Sequence, residues 1–434
     1  VGFAFWPGHR GLTAYDPDVY DTPPISHDNY RITAADHWNA AGIRIPSGHD
    51  YDLYLYDGSP FGNPDDHTWL EDSTLGGDTL DFVVLDGNHA PLEDYFLEAE
   101  TYSGSGGTYE IERATHSATL QDGTYGPYSM MPTQVLRVWD LPIAGGEDKR
   151  VLVRPTNGNI DLGLALFETD GSDAGTWYQG RSQAIASTDA NGLDADEMLT
   201  YAATDSDTYG LVAWSNAATT TSDFMLYVDS TPPTGDIHLE GALAYANSTG
   251  ITVNINVADG DTTVTEMRIT NDGTNWSAWE PFSNSKSWTL PSGDGTKTVY
   301  AQFRNTVGLT ATLSDSIILD TAQPTTSASS PASSESTAFT VSWSGSDGSS
   351  GIADYDVQYR VGSGGSWTNW RTGTTDTSDV FGPTAPVTVA RDQTYYFRVR
   401  ARDHAGNVSG YSGGNGDTQT LVELFDVFIP LVIK

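Results

Sequence analysis

Apolar and polar residues alternate one for one along most of this chain. The pattern is plain in "YDLYLYD" (Tyr51–Asp57), "DFVVLD" (Asp81–Asp86), "KRVLVRP" (Lys149–Pro155) and "ITVNINVAD" (Ile251–Asp259). It returns in "FTVSWSG" (Phe339–Gly345) and "YYFRVRARD" (Tyr395–Asp403). A period of two is the pleat of a β-strand, with successive side chains on opposite faces. Helical periodicity is almost missing. The one candidate, "DANGLDADEMLTYAA" (Asp189–Ala203), is itself expected to end in a strand. Clusters of Gly, Ser, Thr, Asn and Asp separate the strands, and the 45 glycines supply their turns. The fold class expected is all-β, built from tandem β-sandwiches.

Internal echoes place the boundaries. "VDSTPPT" (Val228–Thr234) returns as "LDTAQPT" (Leu319–Thr325), and "NWSAW" (Asn275–Trp279) as "SWTNW" (Ser366–Trp370). Both echoes are offset by about 91 residues, the length of one sandwich domain. A weaker pair lies in the front half: "YDLYLYDGS" (Tyr51–Ser59) resembles "IDLGLALFETDGS" (Ile160–Ser172). The expected organisation is an apolar N-terminal segment 1–24, sandwiches 25–115, 116–229, 230–321 and 322–420, and an apolar strand 421–434.

Several of these residues resemble known families. "DYDLYLYD" with "YFLEAE", and "IDLGLALFE" with "YGLVAW", look like the apolar-Asp-apolar and Tyr-x-Leu strands of bacterial pre-peptidase C-terminal domains. That likeness implies two jelly-roll-like sandwiches. The third domain is similar to bacterial immunoglobulin-like repeats. The fourth is similar to fibronectin type III domains through "YDVQYR" (Tyr355–Arg360) and "YYFRVRARDHAGN". The resemblance covers about 25–420. It implies extracellular, mostly non-catalytic modules of surface proteins and secreted hydrolases.

Charge narrows the partners. Fifty-eight carboxylates against 20 Lys and Arg give a formal net charge of -38. That field repels nucleic acid and anionic lipid, so neither is expected as a partner. There is no Cys, hence no disulfide. No apolar run reaches the ~18 residues of a membrane helix, so no membrane insertion is expected. The chain starts at Val1, which suggests a processed, exported form, extracellular or at the cell surface.

No nucleophile elbow, zinc-protease helix motif, phosphate loop or dinucleotide fingerprint occurs, and no enzyme is expected. Seven of the 9 histidines fall before position 117: His9, His27, His37, His49, His67, His89 and His116. Imidazole with carboxylate can bind zinc, yet no His-x-His or His-x3-His spacing places two imidazoles together. Surface or turn positions are therefore expected for them. No cofactor is required. Calcium is the ion that the oxygen-rich loops suit best, first of all Asp189, Asn191, Asp194, Asp196 and Glu197. The pairs Trp276/Trp279 and Trp367/Trp370 could stack on a sugar, although one of each pair is expected in the core. Asn247, Asn275 and Asn407 begin glycosylation sequons.

The chain ends "FDVFIPLVIK", which alternates Phe425, Val427, Ile429, Leu431 and Ile433 on one face. Asp426, Phe428, Pro430, Val432 and Lys434 lie on the other, so Phe428 and Val432 widen the apolar surface. The fourth domain is expected to finish near Tyr411, followed by a Gly-rich hinge (Gly413–Asp417). The tail is then surplus to its own domain. Strand donation to another copy of the chain would bury it. The first domain, with Val1, Phe3, Phe5 and Trp6, is the expected acceptor. The function expected is a structural subunit of an extracellular filament or surface layer. The alternative is an accessory or adhesive module that binds glycan or peptide.

Overall fold

A computed structural model describes residues 13–14, 27–33, 37–45, 48–56, 69–74, 80–87, 94–103, 109–132, 134–157, 159–169, 177–218, 220–382 and 388–423. It is all-β, with one short 3-10 helix, Gly180–Gln183, among the described residues. The chain divides into two compact units. One comprises Val1–Pro233, Ala258–Thr265 and Arg304–Ala311; the other Thr234–Val257, Glu266–Phe303 and Thr312–Lys434. No described helix is long and apolar enough to cross a membrane.

The front unit has three sheets. A five-stranded sheet runs in the order Thr13–Ala14, His27–Thr33, Asp94–Ser103, Asp50–Tyr56, Trp69–Ser73. A four-stranded sheet runs Glu197–Ala202, Asp148–Asn157, Ser222–Asp229, Gly123–Met130. Between them lies one eight-stranded sheet. Its order is Trp177–Gln179, Leu80–Asp86, Trp38–Arg44, Glu110–Thr119, Leu136–Ile143, Asp207–Ala218, Ile160–Phe167, Ala186–Thr188. Sequence reasoning draws a boundary at 115/116. That point falls inside the Glu110–Thr119 strand, which pairs in parallel with Leu136–Ile143 (Val138 opposite His116). The two front sandwiches therefore share a sheet.

Three cores follow. One face of the shared sheet packs on the five-stranded sheet, through Ile43, Leu53, Leu55, Val83, Leu97 and Ile111. The second half packs on the four-stranded sheet, through Trp139, Leu141, Val153, Leu164, Leu211 and Phe224. The third core joins the outward faces of the two halves: Trp38, Phe82, Leu136, Val138, Phe167, Val212 and Trp214. Leu80–Asp86 is consequently buried at every position. The structure here corrects the alternation read in "DFVVLD": like "IDLGLALF" it is a nearly continuous apolar run, because a strand covered on both faces has no polar side to show. Two glycines allow the close approach. A Cβ on Gly210 would lie 2.4 Å from the Trp38 ring, and one on Gly163 would lie 2.1 Å from Trp214.

Asp52 is the strained point of the first core. It is buried, and it sits opposite Glu100 in the Asp50–Tyr56/Asp94–Ser103 pairing. Burial, then Asp50 and Glu100, raise its carboxyl to about 6. The folded state thus holds a proton that the unfolded chain releases near pH 4. Stability contributed at low pH is lost as pH rises from about 4 to about 6 and is flat above that. Asp52→Asn should therefore stabilise the protein by about 1–2 kcal/mol at pH 7, after solvent screening, and by nothing at pH 3.5. Urea melts at the two pH values check this; an equal gain at both would refute the electrostatic account.

In the rear unit the third and fourth sandwiches repeat one plan. The third has a three-stranded sheet, Thr234–Leu239, Gly250–Ala258, Ser285–Thr289. Its five-stranded partner runs Tyr245–Ala246, Thr310–Leu319, Gly295–Asn305, Val264–Thr270, Glu280–Pro281. The fourth matches it strand for strand: Thr325–Ser329, Phe339–Ser346, Ser378–Phe381 against Ser333–Ser334, Thr418–Val422, Gln393–Asp403, Ile352–Val361, Thr368–Thr374. Both have the two-sheet, three-plus-five order of an immunoglobulin-like or fibronectin-like sandwich.

Two expectations about the chain's end change here. The fourth sandwich does not finish near Tyr411: Thr418–Val422 is its last described strand, paired with Gln393–Asp403 and, in parallel, with Ser333–Ser334. Val422 is fully buried. The glycine-rich stretch is no hinge either. Arg360 donates to Gly414 O (2.9 Å) and to Asn415 Oδ1 (2.8 Å), and Asp417 N donates to Phe397 O (2.8 Å). A cluster rich in glycine makes a tight packed turn as readily as a flexible one.

Candidate functional site

The chemistry-bearing residues that the fold draws together are aspartates at strand ends, in one cluster within each unit. In the rear unit Asp320 follows Thr310–Leu319, Asp403 ends Gln393–Asp403, and Asp347 lies beyond Phe339–Ser346. Each offers a carboxylate oxygen within 4.8 Å of the others. Asp320 and Asp403 are buried. Ser350 N donates to Asp320 Oδ2 (3.0 Å) and Asp347 Oδ1 (2.9 Å), and Gly351 N to Asp347 Oδ1 (3.0 Å). Asn407 closes the cluster. Its N–H reaches Asp403 Oδ1 (2.7 Å), and its amide reaches Asp403 Oδ2 (2.9 Å) and Asp320 O (2.8 Å).

The front unit contains the matching set. Asp229 ends the Ser222–Asp229 strand and is fully buried. Its Oδ2 accepts from Thr262 Oγ1 (2.7 Å) and Asn305 Nδ2 (2.9 Å), and its Oδ1 from Thr231 N (2.9 Å). Asp259 Oδ1 accepts from Thr262 N (2.8 Å), as Asp347 does from Ser350 N. Asp122, Asp229 and Asp261 form a second carboxylate triad, and Lys149 lies 2.6 Å from Asp122. Burial, with Asp259 and Asp122 nearby, pushes the Asp229 carboxyl above the usual carboxylate range. Val307 and Leu309 then pack on Leu152 and Tyr227, and Arg150 donates to Val307 O (3.3 Å). The arrangement ties three loops to one strand end. It places no nucleophile beside a base.

Sequence reasoning took the Pro-Thr echo only as a boundary. The aspartate inside that echo, Asp229 and then Asp320, is the group on which the loops converge. The signal was in the sequence as a repeated Asp, ahead of Ser-Thr-Pro-Pro in the first copy and Thr-Ala-Gln-Pro in the second.

The loop chosen for calcium is occupied differently. Arg154 grips Asp196 (2.7–3.1 Å), and Arg181 pairs with Asp189 (2.6 Å). Asp194 accepts from Ile160 N (3.2 Å), and Asn191 Nδ2 donates to Asp196 O (2.8 Å). Glu197 is fully buried and accepts from Thr188 Oγ1 (2.5 Å) and Asn191 N (2.5 Å). A cation there would have to displace two arginines.

The tryptophans meet arginine. Arg268 lies 5.0 Å from the Trp276 ring and 4.6 Å from Trp279; Trp367 faces Arg360 (4.6 Å) and Arg398 (4.3 Å). These guanidinium groups stack over the indole rings as cation–π pairs. Trp370 is in the fourth core, as expected of one member of its pair, whereas Trp276 and Trp279 are both only half-buried, against that expectation. Asn407, the third sequon, spends its amide on Asp320 and Asp403. Asn247 and Asn275 are exposed, with the Asn275 amide donating to Asp272 Oδ2 (2.6 Å). Val1, Phe3, Phe5 and Trp6 lie outside the described residues, and so do Phe425, Val427, Phe428, Ile429, Leu431, Val432 and Ile433. Of the histidines, His37 and His116 are brought together, at a distance in sequence that no local spacing reveals.

No family model matches the chain, and no curated protein does. Among solved structures it is similar to the fibronectin(III)-like modules of Clostridium thermocellum CbhA (14% identity, 43% of this chain and 94% of that one, TM-score 0.26). It is also similar to a tetra-tandem repeat from the extending region of a large adhesion protein (14%, 95% and 97%, 0.23). A third is the three N-terminal domains of the bacteriophage RB49 highly immunogenic outer capsid protein (10%, 67% and 99%, 0.33). At these scores none of the three carries an inference about what this chain does.

Proposed function

We propose that this chain is a non-catalytic structural subunit, secreted or displayed at a cell surface, that joins other copies of itself head to tail through Phe425–Lys434. One observation carries the reading. Among the described residues Thr418–Val422 is the last strand of the fourth sandwich, and Ser333–Ser334 already pairs with its far edge at Leu421 and Val422. The apolar residues that follow are therefore not needed as that domain's last strand. A strand with Phe425, Val427, Ile429, Leu431 and Ile433 on one face gains main-chain hydrogen bonds and side-chain pockets when added to another sheet. Five such side chains are worth on the order of 8–15 kcal/mol gross, much of it offset by association and ordering costs. A heterologous contact that does not close propagates as a filament.

The test is removal of 425–434 only, because Val422 is core and Glu423 N donates to Ser334 O (2.9 Å). The full chain should form filaments or large assemblies by electron microscopy and light scattering. The truncated chain should be a folded monomer with an unchanged circular dichroism spectrum. Monomers from both chains, or assemblies from both, would remove the tail from any joining role.

A further inference from the structure

We propose that His37, His116 and Asp140 form a binding site for a divalent transition-metal ion of the zinc class. The three residues come from separate strands or strand ends of the shared sheet. His37 precedes the Trp38–Arg44 strand, His116 lies in Glu110–Thr119, and Asp140 lies in Leu136–Ile143. Antiparallel pairing puts Asn39 opposite Thr115, and parallel pairing puts Val138 opposite His116. Side chains 79 and 103 residues from His37 thus meet at one place.

Each of the three offers a ligand atom within 4.8 Å of the other two. His37 Nδ1 lies 2.7 Å from Asp140 Oδ2, and Trp38 N donates to Asp140 Oδ1 (3.1 Å), which fixes the carboxylate. Asp140 is only 3% exposed. The His116 ring stacks on His37 at 3.9 Å between centroids, and its Nε2 is buried without a hydrogen-bond partner. A buried polar nitrogen left in this state costs free energy unless something binds it.

The donor set selects the ion. Two imidazoles and one carboxylate suit zinc and its neighbours, whereas calcium and magnesium prefer all-oxygen shells. Three protein ligands leave one position for water, and the His37 side chain is 39% exposed. Ligands on a tetrahedral zinc at ~2.0–2.1 Å stand roughly 3.4 Å apart. Metal entry therefore replaces the proton shared by His37 and Asp140 and widens that pair. The rings are nearly parallel, at 15°, so one must turn before both lone pairs converge. Turning either ring breaks the stack, while Trp38 N holds Asp140 in place.

Cobalt(II) titration of the full chain tests this, because four-coordinate cobalt absorbs far more strongly in the visible than cobalt held loosely by carboxylates. One equivalent should give the strong spectrum, and one equivalent of zinc should abolish it. His37→Ala and His116→Ala should each weaken binding by at least about 100-fold, a larger loss than the 10–100-fold typical of an outer-shell change. His238→Ala, at an exposed position in the rear unit, should leave it intact. His37→Ala removes a half-exposed ring, so its folding is the safer check if His116→Ala is unstable. A weak spectrum from the unaltered chain, or an affinity left unchanged by either His substitution, would overturn the site.

Discussion

Trp38→Ala should lower the stability of the front unit by about 3–5 kcal/mol, and both front sandwiches should be lost in a single transition. The reason is where the ring sits. Trp38 is fully buried, not inside the first sandwich, but between the two halves of the shared sheet. It packs against Phe167 (6.5 Å) and Tyr178 (5.7 Å), and its indole N–H donates to Thr208 O (2.8 Å). Phe167 and Thr208 come from the second half of that sheet, and Tyr178 from the edge strand Trp177–Gln179 beside Leu80–Asp86. An alanine leaves a cavity over Gly210, a residue with no side chain to fill it, and leaves the Thr208 carbonyl without its donor. Urea unfolding followed by tryptophan fluorescence, with hydrogen exchange resolved along the chain, measures the effect. Exchange should accelerate together in Trp38–Arg44 and in Asp207–Ala218. Acceleration confined to the first of these would mean that the two sandwiches fold independently and that the shared sheet has no energetic weight.

That interlock also marks the limit of what the sequence makes legible. Strand after strand is readable from alternation, because a half-buried strand must present two kinds of face. The equivalence of the third and fourth sandwiches is readable from "NWSAW" and "SWTNW". Sheet sharing is not, because it depends on a parallel pairing between Val138 and His116 that leaves no periodic trace. Only the absence of polar alternation in "DFVVLD" points to a second covered face. The meeting of His37 and His116 is hidden for the same reason. Local spacing can reveal ligands on one helix or one hairpin, whereas these two approach only after a sheet has registered. The aspartate clusters are an intermediate case. The repeated Asp229 and Asp320 stand in plain view, yet their loops lie about 30 and 75–85 residues onward, so the sequence shows the residues without their convergence.

Asp229→Ala should cost about 2–4 kcal/mol and release the segments 258–265 and 304–311 from the strand end that holds them. The carboxylate accepts from three donors, Thr231 N, Thr262 Oγ1 and Asn305 Nδ2, in a site without solvent exposure. Removing it leaves those donors facing one another, and unpaired buried donors are the expensive part of such a change. Asp229→Asn is the sharper variant. It preserves volume, but an amide has one acceptor oxygen. Whichever way the group is turned, an N–H₂ replaces an oxygen that accepts from Thr231 on one side or from Thr262 and Asn305 on the other. It should therefore lose most of what alanine loses, although the site holds its charge against burial. Leu309 N, bound to Asn305 Oδ1 (2.9 Å), and Thr262 N, bound to Asp259 Oδ1 (2.8 Å), are the amides to follow by hydrogen exchange. Both should exchange faster in either variant, with Val151 and Val153 in the adjoining core unchanged. Asparagine behaving like the unaltered protein would mean that shape, not the carboxylate's two acceptors, holds the loops. The repeated aspartate would then be a packing residue, and the same substitution at Asp320 should be equally silent.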